Sequence, residues 1–320
     1  MYFDAHSDIW CDITQQLERG NTDVFNKRHL EKFRKGGIEG SFFVIWVDPP
    51  HDADYARRTH QIMDSIRTEM KTCDSIRIVH NYGEMMSAIA EEKIYVFIGV
   101  EGMAYIGEDI YRLDEYYEFG AREAMLTWNE ENSLGAGASS GADHGLTDLG
   151  KAVVRKMQDL GMILDVSHLN EAGFWDVIDL SSSPVIASHS NASALCPVGR
   201  NLTDDQLRAI ASTGGVVGLN AYNCFISSDP RKRTDRRLAE HAYHMIDVMG
   251  IDHVGLGFDF VDMFDDGSSY GDNGGYTEGL RNCTEVPNLF SIFDEMGMSV
   301  ADKEKLARGN FHRVIKQVLK

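Results

Sequence analysis

Gly161-Met-Ile-Leu-Asp-Val-Ser-His168 and, after a polar and aromatic interval, Pro184-Val-Ile-Ala-Ser-His189-Ser190 decide the reading of this 320-residue chain. Two short, β-branched apolar runs each close on a histidine, and the histidines stand 21 residues apart. An apolar run bounded by turn signals reads as a strand buried on both faces, as a parallel sheet requires. Twenty-one residues accommodate a strand end, a loop, a helix over 172–180 and the next strand. The two imidazoles then sit side by side at the carboxyl ends of neighbouring strands, where α/β proteins bind their ligands.

Outward from that pair the pattern repeats. Residues 2–10 open on Phe-Asp-Ala-His6-Ser-Asp8, an apolar start running into polar groups. Further strands are expected at 40–47, at 95–102 with Glu101 near its end, and at 122–129, which contains Trp128. Two more are expected at 216–222, closing on Tyr222, and at 253–260, with Asp259 near its end. Helices are expected over 21–35, 55–72, 82–92, 149–160, 203–212, 232–249, 287–296 and 301–318. Gly-rich loops are expected at 132–145 and after Phe260. Eight strands alternating with helices indicate a TIM-type (β/α)8 barrel of the α/β class. With no repeat or linker in view, residues 1–320 are expected to form one catalytic barrel domain.

Composition narrows the function classes. No run of 18 apolar residues is present, so no membrane-spanning helix is expected. The first residues lack a basic segment followed by an apolar one, so no secretory signal is expected. Five scattered cysteines, never in Cys-x-x-Cys spacing, suit reduced thiols in a cytoplasm. A net charge of −19 argues against nucleic acid as a partner.

Barrel strand ends converge on one ring, so His6, Asp8, Glu101, His168, His189 and Asp259 should meet. His6 and Asp8 are two apart and point to one face of a strand end. Alone, His-x-Asp is more often a turn histidine beside a capping acid. Six polar strand ends together need a cation to balance them. Five or six ligands fit two divalent ions ~3.5–4 Å apart with a bridging carboxylate. Glu101 is the natural bridge: His6, Asp8 and Glu101 would hold one ion, and Glu101, His168 and His189 the other. Imidazole and carboxylate without thiolate favour Zn2+.

Asp-Ala-His-Ser-Asp, Gly-Val-Glu-Gly, Asp-Val-Ser-His, Ser-His-Ser-Asn-Ala, Gly-Phe-Asp-Phe and Gly-Asn-Phe-His-Arg-Val, in this order over the whole chain, resemble the renal (membrane) dipeptidase family. So does Gly-Leu-Thr-Asp-Leu-Gly at 145–150. The resemblance implies a metal-dependent hydrolase barrel with two bridged zinc ions that cleaves dipeptides through a metal-bridging hydroxide. It places the ligands on His6, Asp8, Glu101, His168 and His189, with Glu101 also counted as catalytic. It makes Asp259 the catalytic aspartate and Arg200 the arginine that binds substrate. Trp128 stands where better-known members carry a histidine, and is grouped with Arg200 and Tyr222 as a substrate contact.

Two other readings stay open. The same site could hydrolyse another amide, such as a lactam or an N-acyl amino acid, or the chain could be a catalytically weak metal-binding homologue. A homodimer is one expectation for its assembly. His29, His51, His60, His80, His241 and His244 are expected at the surface. Asp143 and His144 are expected as a solvated loop pair, and Trp10, Trp46 and Trp175 as packing residues.

Overall fold

The computed structural model describes residues 1–264 and 275–320, and the loop expected after Phe260 lies mainly at 265–274, outside the described residues. Eight parallel strands build the barrel: β1 Tyr2–Ser7, β2 Ile38–Trp46, β3 Ile94–Glu101, β4 Ala121–Met125, β5 Ile163–Asp165, β6 Val185–Ile186, β7 Val217–Leu219 and β8 Val254–Leu256. β1 to β6 pair in chain order, β7 pairs β8, and a bridge from Ala187 to Val217 joins β6 to β7. The barrel is nearly closed. At the seam between β8 and β1, Asp4 Oδ1 accepts a hydrogen bond from Phe258 N at 2.8 Å.

The apolar runs form strands because both of their faces are covered. Every residue of β2 and β3 is buried. One set of side chains, including Phe3, Phe42, Phe97 and Ile163, fills the interior, and the last helix, Asn310–Val318, caps its amino end with Phe311 and Ile315. The other set packs outward against the helices. Among the described residues, no helix is long and apolar enough to cross a membrane.

Strands β5 to β8 are shorter than their apolar runs because side chains replace the ladder near their ends. Asp165 Oδ1 accepts from Ser167 N at 2.9 Å and from Ser188 N at 3.1 Å, and Asn191 Oδ1 accepts from Asn220 N at 3.1 Å. Strand four stops at Met125, so Trp128 lies beyond it. A short strand, Ile76–Ile78, pairs with the start of β3, and a helix, Arg112–Phe119, precedes β4; neither was expected. The Gly-rich loop contains a small hairpin, Glu131–Asn132 with Gly135–Ala136. The helices expected over 21–35 and 301–318 are each interrupted by a π-helical turn, Phe25–His29 and Lys305–Gly309.

Two histidines expected at the surface are buried. His29 lies 2.7 Å from Asp12 Oδ2. His241 faces the core from the helix Asp235–Met249, its Nε2 2.9 Å from Ile226 O, with Ala192 N donating to its Nδ1 at 3.2 Å. Asp143 and His144 are exposed as expected, His144 lying 3.1 Å from Glu131. All five cysteines are free.

Candidate active site

Each strand delivers its polar group to the same mouth. Glu101, the last residue of β3, turns its two oxygens to two sides. Oε1 lies 2.9 Å from His168 Nε2 and 3.9 Å from His189 Nε2, and Oε2 lies 3.5 Å from His6 Nε2. The next residue, Gly102, has φ 79° and approaches Trp128 so closely that a Cβ would meet Trp128 N at 2.9 Å. Glycine is required there, and it fixes Glu101 against the loop after β4. His6 Nε2 also lies 4.0 Å from Asp8 Oδ2 and 3.8 Å from Asp259 Oδ1.

His168 and His189 are held neutral, with their outer nitrogens engaged. His168 Nδ1 lies 2.9 Å from Asn129 Oδ1, and His189 Nδ1 lies 2.7 Å from Ser188 Oγ. With their outer nitrogens occupied, both rings turn Nε2 inward, where the two atoms stand 2.9 Å apart. A partner on the far nitrogen that fixes the ring is the usual setting of a metal-bound imidazole. Burial and the Arg200 charge push His168 down to about 3, and burial with the His6 charge pushes His189 well below its ordinary value. Burial alone would lower His6, but Glu101, Asp259 and Asp8 outweigh it and hold it well above. That marks the point where the carboxylates ask for positive charge. For Glu101 the opposition of burial is likewise overcome, first by the His6 charge and then by the nearby His168, and it is held low.

The donor set fits divalent metal. Both ring nitrogens of His6 and Oδ1 of Asp8 are buried with no hydrogen-bond partner, which is costly unless something else binds them. Two triads, His6 with Glu101 and His189, and His6 with Asp8 and Asp259, bring their ligand atoms within 4.8 Å of one another. Asp259 therefore stands among the candidate ligands themselves. Its backbone is strained, with φ 57°. Burial pushes its carboxyl up to about 6, the Glu101 charge adding to this and the His6 charge opposing it. Asn220 Nδ2 donates to its Oδ2 at 3.1 Å and leaves Oδ1 toward the histidines.

A cavity of about 160 Å3 opens over this group. Its polar wall includes Asp8, Glu101, His168, Arg200 and Asp259, and its aromatic wall Trp46, Trp128, Tyr222, Phe225 and Phe264. Every expected site residue except the innermost two, His6 and His189, lines the cavity directly. Arg200 is committed in part to the main chain: its Nη1 donates to Ser167 O and its Nη2 to His189 O at 3.4 Å, while Nε has no partner. Trp46, expected only to pack, lies at the mouth with its ring 5.4 Å from that of Trp128. Its register partner across the sheet is Glu101, a strand-end position that the ligand pattern could have flagged. Asn129, Ser188 and Asn220 were not anticipated, since their roles depend on which side chain each one meets.

The profile of the membrane dipeptidase family, peptidase family M19, matches residues 1–320. The chain is 29% identical to the dipeptidase tcpJ of Claviceps purpurea, over 99% of this chain and 73% of that one. Among solved structures, dipeptidase AC, a metallopeptidase, superposes with a TM-score of 0.88 at 26% identity, covering 99% of this chain and 98% of that one. A metallopeptidase from Rhodobacter sphaeroides, liganded with a phosphinate mimic of the dipeptide L-Ala-D-Ala, gives 0.87 at 26% identity and covers 99% of each chain.

Proposed function

Because this chain belongs to the membrane dipeptidase family and is a metal-dependent hydrolase, we propose that residues 1–320 form one catalytic barrel that hydrolyses dipeptides with two zinc ions. The observation that carries this is the inward pair of histidine Nε2 atoms, 2.9 Å apart and beside Glu101, next to a His6 whose ring nitrogens make no hydrogen bond. His6, Asp8 and Glu101 would hold one ion, and Glu101, His168 and His189 the second. Bound there, a pair of divalent ions supplies a Lewis acid for a carbonyl oxygen and an ionised water near neutral pH.

The remaining work falls to the chain. Arg200 faces the substrate's terminal carboxylate, a match of fork to fork that lysine lacks. The ring of Tyr222 bounds the same side of the cavity. Asp259, oriented by Asn220, receives the attacking water's proton on Oδ1 and returns it to the departing amine. A carboxyl raised to about 6 is well matched to that task near neutral pH. The aromatic wall excludes bulk water from the reacting bond.

Trp128 favours a second reading, the hydrolysis of another amide. An indole donates one hydrogen bond but carries neither proton nor charge, so carbonyl support differs from that of the histidine-bearing relatives. Steady-state kinetics on dipeptides and their C-terminal amides separates the two readings. Free acids should be hydrolysed and amides poorly, and Arg200→Lys should raise KM for the acids. Equal rates on acid and amide would move the assignment to a different amide substrate.

A further inference from the structure

A second recess of about 60 Å3 opens beside the main cavity. The two share Trp46, Glu101 and Trp128, and the recess continues to Tyr55, Asp52 and Glu130. Arg200, Tyr222 and Asp259 line only the main cavity, so the recess leads away from them. Its walls are three aromatic rings and its far end carries two carboxylates.

Neither Asp52 nor Glu130 has a lysine or arginine partner among the described residues. Glu130 is half-buried, and burial together with the charges of Glu101 and Asp52 pushes its carboxyl upward. Carboxylates thus stand beside two indoles and a phenol, with no lysine or arginine paired to Asp52 or Glu130 among the described residues. Aromatic faces and carboxylates both attract a cation, and together they discriminate against a neutral or anionic group of the same length.

We propose that this recess selects a cationic side chain, lysine or arginine, on the amino-terminal residue of the substrate. The inference rests on the dipeptidase reading for its orientation. With the carboxyl-terminal residue held toward Arg200 and the scissile carbonyl over the ligands, the amino-terminal side chain projects toward Trp46 and Trp128.

The test is a panel sharing one carboxyl-terminal residue: Lys-Ala against norleucyl-Ala, Arg-Ala against citrullyl-Ala, and Glu-Ala. With the full chain carrying its metal, each cationic substrate should exceed its neutral counterpart about tenfold in kcat/KM, and Glu-Ala should be poorest. In the double variant Asp52→Asn, Glu130→Gln the cationic-to-neutral ratio should collapse toward one. Equal kcat/KM for each pair in the unmodified protein, or a ratio that survives in the double variant, overturns the proposal. A lysyl and a norleucyl phosphinate pseudodipeptide, compared by calorimetry, read the recess without turnover. Tighter binding of the lysyl compound with no hydrolysis of any dipeptide would sink the reaction assignment and keep the recess. Equal binding of the two overturns the recess.

Discussion

Two buried polar clusters occupy opposite ends of the same barrel, and they differ in completeness. At the amino end, the Tyr95 hydroxyl lies 2.7 Å from His312 Nε2 and 3.3 Å from Glu39 Oε1, and Arg308 donates to Glu39 Oε2 at 2.8 Å and to Glu304 at 2.6 Å. Each of these groups meets a partner within the chain. At the carboxyl end, His6, Asp8, Asp165 and Glu123 all leave buried atoms without hydrogen bonds. The amino end also has the larger groove, about 660 Å3 against 160 Å3, yet none of the candidate ligands lines it. Size does not mark the site. Unpaired imidazole and carboxylate atoms gathered within ligating distance of one another do.

The contrast breaks most severely if the incomplete cluster loses its shared carboxylate. Glu101→Gln should lower bound metal from about two ions per chain to less than one. Activity should fall by more than the ~10–100-fold typical of losing an outer partner. Elemental analysis beside kcat reads both. A single ion, unchanged by the substitution, would sink the shared-carboxylate arrangement.

Asp259→Asn sharpens the contrast within that cluster. Its metal content should stay near that of the unmodified protein while kcat falls ~10²–10⁴-fold. Loss of metal instead would make Asp259 a ligand, as its membership of a triad with His6 and Asp8 allows.

The smallest effect is expected at the complete cluster, on stability. Burial, with the nearby Arg308 charge, pushes His312 down to about 4. As pH falls below about 6.5, the unfolded chain takes up this proton before the folded one does. The folded state should therefore lose up to about 3 kcal/mol from this group between pH 6.5 and 4, with no change from this source above pH 7. Urea midpoints across that window should fall less steeply in His312→Gln than in the unmodified protein. Identical slopes would show that the histidine contributes nothing.

What the sequence made legible follows the same division. His6, Asp8, Glu101, His168, His189 and Asp259 were readable because each interrupts or closes an apolar run whose burial on both faces is unambiguous. Strand extents were not, since Asp165 and Asn191 divert main-chain donors that an apolar run alone would leave to the ladder. Ile76–Ile78 is too short to show a period, and Arg112–Phe119 has two tyrosines and four charged residues, which blur its apolar face. His241 was readable in principle: Leu238, Ala242, Met245 and Met249 put it on the buried stripe of its helix. The amino-end cluster was opaque, because Glu39 and Arg308 are 269 positions apart and each alone resembles an ordinary surface charge.

The hydrogen bond from Phe258 N to Asp4 spans 254 residues, and it gives the barrel a birth order. A ribosome adding ~5–20 residues per second would emit strand one roughly 10–50 s before the segment that seals it. Throughout that interval the first strand has an open edge, and His6 and Asp8 wait beside it without a closed ring. Closure of the ring thus waits for the segment after strand eight, and until it arrives strand one offers an unpaired edge to any other strand nearby.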